Sequence, residues 1–202
     1  MTQDELGHAR TLYPLLDNFV QAEADLSQVE PETRTLHYSI AYLDNDFEGW
    51  SDFVATNFLF DSAMTTFFEA AQQSSYEPLR QRARKIVQEE RIHEMHGEGW
   101  VRRLAKAGGA VRATLQASLE RLWNETLCWF GPNDDPVMRR LYNEGIIDAT
   151  PDELRSRYLK KIMPTLQGVY IDVAVTFNAS SKQWEVGGPL PWARWDGVGR
   201  RL

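Results

Sequence analysis

Between residues 77 and 107, Ile86, Glu90, His93, Gly97, Trp100 and Leu104 recur in alternating steps of four and three. That spacing draws one stripe along an α-helix, and a mostly apolar stripe faces a core. The same periodicity predicts a first helix from the N-terminus to about Ala24, with Glu5, His8, Leu12, Leu15 and Phe19 on its stripe. A second helix is expected from about Ser51 to Gln73, with Val54, Phe58, Met64 and Phe68 as its apolar face. Ser74, Ser75 and Pro78 mark the turn into the third helix, with Ser75 as cap, and Gly108-Gly109 end that helix after Ala107. A fourth helix runs from about Val111 to Phe130 and stops at Gly131-Pro132-Asn133-Asp134-Asp135-Pro136. A shorter helix fits Pro151 to Met163, with Thr150 as cap. Residues 27–50 read as irregular. Further on the pattern changes. Val173–Phe177 and Gln183–Val186 predict a hairpin across Asn178–Lys182, and the Gly-, Pro- and Trp-rich end reads as an extended arm. The sum is an all-α bundle in one domain over residues 1–202, with a helical core in 1–165 and a hairpin-like or extended tail in 166–202.

The composition suits this picture. The chain has 202 residues, 43% of them hydrophobic and 25% charged, enough for a self-sufficient core. Its single cysteine, Cys128, cannot form an internal disulfide, and no secretory leader is recognisable, so a cytoplasmic location is expected. No apolar run is long enough to span a bilayer. A net charge of −7 argues against broad nucleic-acid binding, which needs a basic face.

Three helices carry ionisable residues where apolar ones belong. Glu90-x-x-His93 interrupts the third stripe, Glu5-x-x-His8 opens the first, and Asp61 lies in the middle of the second. A buried carboxylate is costly unless it is paired or bound to metal, and Glu-x-x-His spacing puts both side chains on one side of a helix. Glu69 competes with Asp61 but falls beside Ser62, Thr65, Thr66 and Gln73, so it reads as solvated or as a supporting group. A lone Glu-x-x-His is common on solvated faces, a buried histidine is usually satisfied by its neighbours, and a buried aspartate is usually bonded to an adjacent helix. Two such pairs and an aspartate on three apolar stripes instead match the ligands of bundle-core di-iron proteins, which add one further carboxylate. Carboxylates and imidazoles with open positions suit iron that binds dioxygen. The chain thus offers five metal ligands, Glu5, His8, Asp61, Glu90 and His93. The sixth is expected on a helix before the first one seen here, because Glu5 lies too near the N-terminus to leave room for it.

At these motifs the chain resembles the catalytic oxygenase subunit of the phenylacetyl-CoA epoxidase family, a ferritin-like fold of aerobic phenylacetate catabolism. The likeness begins after that family's first bundle helix. It runs through Gln3-Asp4-Glu5-Leu6-Gly7-His8, Phe60-Asp61-Ser62-Ala63, Glu89-Glu90-Arg91-Ile92-His93 and, most specifically, Phe130-Gly131-Pro132-Asn133-Asp134-Asp135. Asp152-Glu153-Leu154-Arg155, Pro164 and the tail fit as well. The resemblance implies a di-iron monooxygenase that epoxidises an aromatic acyl-CoA such as phenylacetyl-CoA. Its two iron ions would be reduced by a separate flavin and iron–sulfur reductase, and the chain would act with a structural paralogue subunit. It would be inactive if the first helix is truly missing. His37-Tyr38-Ser39 resembles a region beside the family's substrate channel and reads equally as a plain loop.

Ala9-Arg10, Phe58-Leu59-Phe60-Asp61 and Trp100-Val101-Arg102-Arg103-Leu104 also resemble the non-catalytic structural paralogue of such complexes, which is the alternative function. The ligand positions are largely lost in that paralogue and kept here. A different ferritin-like oxidase or iron-handling protein would have no need of the 131–135 string. His96 reads as a surface histidine, and Cys128 as packed. Arg80, Arg82, Arg84 and Lys85 read as a solvated face, with CoA phosphates as the other reading.

Overall fold

The structure, a computed structural model, describes residues 2–19 and 39–202. The expected end of the first helix at Ala24, the stretch before Ser39 and the pair His37-Tyr38 therefore lie outside the described residues.

The first helix, α1 (Thr2–Leu12), is shorter than expected, and Tyr13–Asn18 continues as a 3₁₀ turn. Pro14 explains the break, since its ring clashes with the carbonyl four residues back and it has no N–H to donate. The second helical run is α2 (Trp50–Thr56), a π-helical turn (Asn57–Asp61) and α3 (Ser62–Ala70). The π turn shifts the inner face. Ser62, Thr65 and Thr66 are buried, whereas Met64 and Phe68 are only half-buried. The hydroxyls tolerate this because Thr65 Oγ1 donates to Asp61 O (2.9 Å) and Thr66 Oγ1 to Ser62 O (2.8 Å).

The third helix, α4 (Glu77–Ala107), keeps its expected bounds. Tyr76 sits at its cap position, and the nearby serine is Ser74, whose Oγ accepts from Tyr76 N (3.2 Å), rather than the expected Ser75. Gly108, at φ +70°, takes the left-handed conformation that ends the helix and starts α5 (Gly109–Trp129). A further helix, α6 (Pro136–Asn143), follows inside a stretch read as a stop. The last helix, α7 (Pro151–Gly168), opens on a complete Thr150/Glu153 capping box. It continues five residues past its expected end, through Pro164, because Thr165 and Leu166 are buried and packing offsets the lost backbone bond.

α2 packs on α5, α3 on α4 and α7, and α4 on α5. Between them lie Leu59, Leu115, Leu119, Leu122, Leu154, Tyr158 and Leu166, all fully buried. The hairpin β1 (Val175–Asn178) and β2 (Gln183–Val186) is antiparallel, pairs Phe177 with Trp184 and lies against α7. No helix among the described residues is long and apolar enough to cross a membrane.

The 131–135 string has a structural role. Gly131 sits at φ +83°. Buried Arg155 donates to Gly131 O, Asn133 Oδ1 and Asp152 Oδ1, each at 2.7 Å, and its guanidinium lies 5.5 Å from the Trp192 ring centre. Buried Asp135 caps α6 through Val137 N (2.8 Å) and Met138 N (2.9 Å), and its other oxygen accepts from Arg200 Nη1 (2.7 Å). The string thus fastens the C-terminal arm to the bundle.

Candidate metal centre

Helices α1 and α4 present their Glu-x-x-His pairs to each other, and the π turn adds Asp61. A carboxylate oxygen from each of Glu5, Asp61 and Glu90 and a ring nitrogen of His93 lie within 4.8 Å of one another. The two glutamates link the two histidines. Glu5 turns Oε1 toward His93 Nδ1 (3.0 Å) and Oε2 toward His8 Nδ1 (3.6 Å). Glu90 turns Oε1 toward His8 Nδ1 (3.1 Å) and Oε2 toward His93 Nδ1 (3.3 Å). The imidazole centres are 6.4 Å apart. All five residues singled out in the sequence therefore lie together. Asp61 belongs to the group that includes His93, while His8 meets Glu5, Glu89 and Glu90.

Each ring's outer nitrogen meets a carboxylate from the opposite helix. His8 Nε2 lies 3.0 Å from Glu89 Oε2, and His93 Nε2 lies 3.3 Å from Asp4 Oδ2. A carboxylate there accepts the Nε2 proton and leaves the Nδ1 lone pair facing inward, the tautomer a metal ligand requires. Sequence reasoning passed over Asp4 and Glu89. Their only sequence signal is an acidic residue directly before each inner glutamate.

The donor set fits a cation. Glu5 Oε1, Glu90 Oε2 and His93 Nδ1 are buried and face one another at 3.0 and 3.3 Å without forming a hydrogen bond, an expensive arrangement for atoms that offer lone pairs. Burial, and then the charge of Glu5, pushes the Asp61 carboxyl up to about 7. Burial, and then Asp61 and Glu5, pushes the Glu90 carboxyl up to about 9. A bound cation would reverse both shifts by compensating the charge that crowding now penalises.

Beside Glu5 and His8 opens a cavity of about 330 Å³, walled by Ala9, Leu12, Tyr13, Leu16, Met64 and Phe68. Met64 and Phe68, expected on the apolar face of the second helix, pack against the core and also line this cavity. Two larger surface grooves, of about 660 and 630 Å³, touch none of the clustered residues.

The remaining candidates take other parts. Glu69 does not join the cluster; its Oε1 accepts from Lys161 Nζ (2.8 Å), which also reaches Glu94 Oε1 (2.6 Å). His96 is exposed and accepts from Trp100 Nε1 (3.1 Å). Arg80, Arg82 and Arg84 are tied to Ser74 O, Thr11 O and Gln72 O, and Arg82 thereby pins the end of α1 onto α4. Cys128 is buried, which pushes its thiol up to about 12 and leaves it inert.

An all-α bundle whose inner face gathers glutamates, an aspartate and histidines from separate helices is a ferritin-like fold. The chain belongs to the phenylacetic acid catabolic protein family, whose pattern it matches over residues 1–185. It is similar to one subunit of the 1,2-phenylacetyl-CoA epoxidase of Escherichia coli (strain K12), at 29% identity over 201 residues. The match takes in 97% of this chain and 64% of that protein, so the chain spans less than two thirds of the relative's length.

Proposed function

We propose that this chain is the di-iron oxygenase component of a multicomponent monooxygenase that epoxidises an aromatic acyl-CoA such as phenylacetyl-CoA. The observation that carries this reading is the paired bridging of His8 and His93 by Glu5 and Glu90, whose buried inward atoms around His93 meet without a hydrogen bond. The kinship to an epoxidase subunit supports the reaction class.

Two irons held by Glu5, His8, Asp61, Glu90 and His93 would supply the reduction of dioxygen, one atom adding to the ring as an epoxide and the other leaving as water. The two electrons would come from a separate flavin and iron–sulfur reductase. The chain's own part is to hold and orient. Glu5, Asp61 and Glu90 offset the cationic charge, while Glu89 and Asp4 keep the two imidazoles in register. Leu12, Leu16, Met64 and Phe68 give an apolar wall against which an aromatic ring can lie. A structural paralogue subunit is the expected partner.

Anaerobic loading of the purified chain with ferrous iron tests the centre. About two irons per chain support it, and none favours the scaffold reading. With partner and reductase added, phenylacetyl-CoA should gain one atom from isotopically labelled dioxygen. Robust turnover by the chain alone would contradict the need for partners.

A further inference from the structure

Gly97 is a buried residue in the interior of α4, one helical turn past His93, and its backbone is helical. Glycine at such a position is less favourable for the helix than alanine. Conformation does not demand it, so space must. A methyl group built on Gly97 would lie 3.2 Å from Asn57 Oδ1, 3.5 Å from Phe58 Cα and 3.7 Å from Phe58 Cβ. The two Phe58 contacts are ordinary. The contact with the Asn57 carboxamide is tight, so that group would have to give by a few tenths of an ångström.

Asn57 opens the π turn, and Asp61 closes it. Across the turn Asn57 Nδ2 donates to Asp61 Oδ2 at 3.2 Å. Asp61 is the one carboxylate of the cluster that comes without a histidine on its own helix, so its aim depends on this turn. π turns are uncommon, and they tend to occur at functional sites where one side chain must be re-aimed.

We infer that Gly97 is a positioning residue for the candidate metal centre: the space it leaves seats the Asn57 carboxamide, and that carboxamide holds Asp61 toward Glu5, Glu90 and His93. This rests on the metal reading of the cluster. The competing explanation is that Gly97 only lets α4 and the π turn pack closely.

Four forms of the full chain separate the two: wild type, Gly97→Ala, Asn57→Ala and the double variant. Each is titrated with cobalt(II) under anaerobic conditions by calorimetry and visible absorption, with the unfolding midpoint of the metal-free protein measured alongside. Asp61→Asn serves as the reference for loss of this ligand. Gly97→Ala and Asn57→Ala should each weaken cobalt binding by about tenfold. The double variant should bind like Asn57→Ala alone, because the added methyl then meets no carboxamide. If Gly97→Ala does not fold, Asn57→Ala and the double variant still decide, since the double variant should fold. A Gly97→Ala protein that is less stable yet binds cobalt like wild type overturns the inference, as do losses that add in the double variant. A wild type that binds no metal overturns the metal reading with it, whereas a binding wild type with unaffected variants overturns this inference only.

Discussion

His8 Nε2 lies 3.0 Å from Glu89 Oε2, so the histidine of one Glu-x-x-His pair is supported by the residue that precedes the other pair. Asp4 does the same for His93 from the opposite helix, at 3.3 Å. The two motifs thus lock each other across the α1–α4 contact. Glu89 is half-exposed and, among the described residues, has Lys85, at 3.7 Å, as its one further ion-pair partner, so its removal should leave folding intact. We expect Glu89→Ala to weaken metal binding by about 10- to 100-fold, with the helical circular dichroism unchanged. Wild-type affinity in this variant would show that the crossed contact does not orient His8.

His93 touches three carboxylates: Asp4, Glu5 and Glu90. His93→Ala is expected to abolish iron binding while the helical fold persists, because the core of α4 rests on Ala83, Ile86, Val101 and Leu104. The measurement is iron per chain after anaerobic loading and desalting. Unchanged stoichiometry would refute the assignment of His93 as a ligand.

Much of this arrangement was legible before any coordinates. The stripe of α4, its glycine stop and the Thr150 cap follow from spacing and local chemistry alone. So does the convergence of Glu5, His8, Asp61, Glu90 and His93, since charged groups on apolar stripes must meet something. Other features were hidden for identifiable reasons. Nothing in the residue types of 57–61 announces a π turn, and nothing in the spacing says that Met64 and Phe68, packed against the core, also line a cavity. The crossed roles of Asp4 and Glu89 depend on how two helices approach, which no single-helix pattern encodes. Two further signals are present in the sequence. Pro14 should have ended α1, and Asp135-Pro136 is a helix cap followed by a first-turn proline, the start of α6 rather than only a stop.

The raised Asp61 and Glu90 carboxyls make a prediction about pH. In the folded, metal-free protein both groups hold protons more tightly than in the unfolded chain, where they titrate near 3.8 and 4.5. Their contribution to stability is therefore fully present below about pH 4 and is lost as pH rises through about 7 for Asp61 and about 9 for Glu90. Glu90→Gln keeps the shape and removes one titration. The metal-free variant should gain in unfolding midpoint over wild type as pH goes from 5.5 to 9, and the gap should shrink when wild type is loaded with iron. A gap independent of pH would mean that Glu90 is not held protonated by its surroundings.

Asp135 carries a separate prediction, about the latch instead of the centre. One of its oxygens caps α6 and the other pairs with Arg200, in a site that is 5% exposed. Losing a helix cap costs about 1 kcal/mol, and removing one partner of a mostly buried ion pair costs more, because the other charge stays behind. Asp135→Ala should therefore destabilise the protein by about 2–4 kcal/mol, measured by urea unfolding. Arg200→Ala should cost less, since it keeps the cap. Both variants should expose the C-terminal arm to proteolysis near Trp192–Arg194, where the Arg155–Trp192 contact and the Arg201–Asp44 ion pair (2.6 Å) would remain as attachments. If the arm resists cleavage equally in wild type and both variants, then Asp135 stabilises α6 alone and the 131–135 string is not what holds the tail.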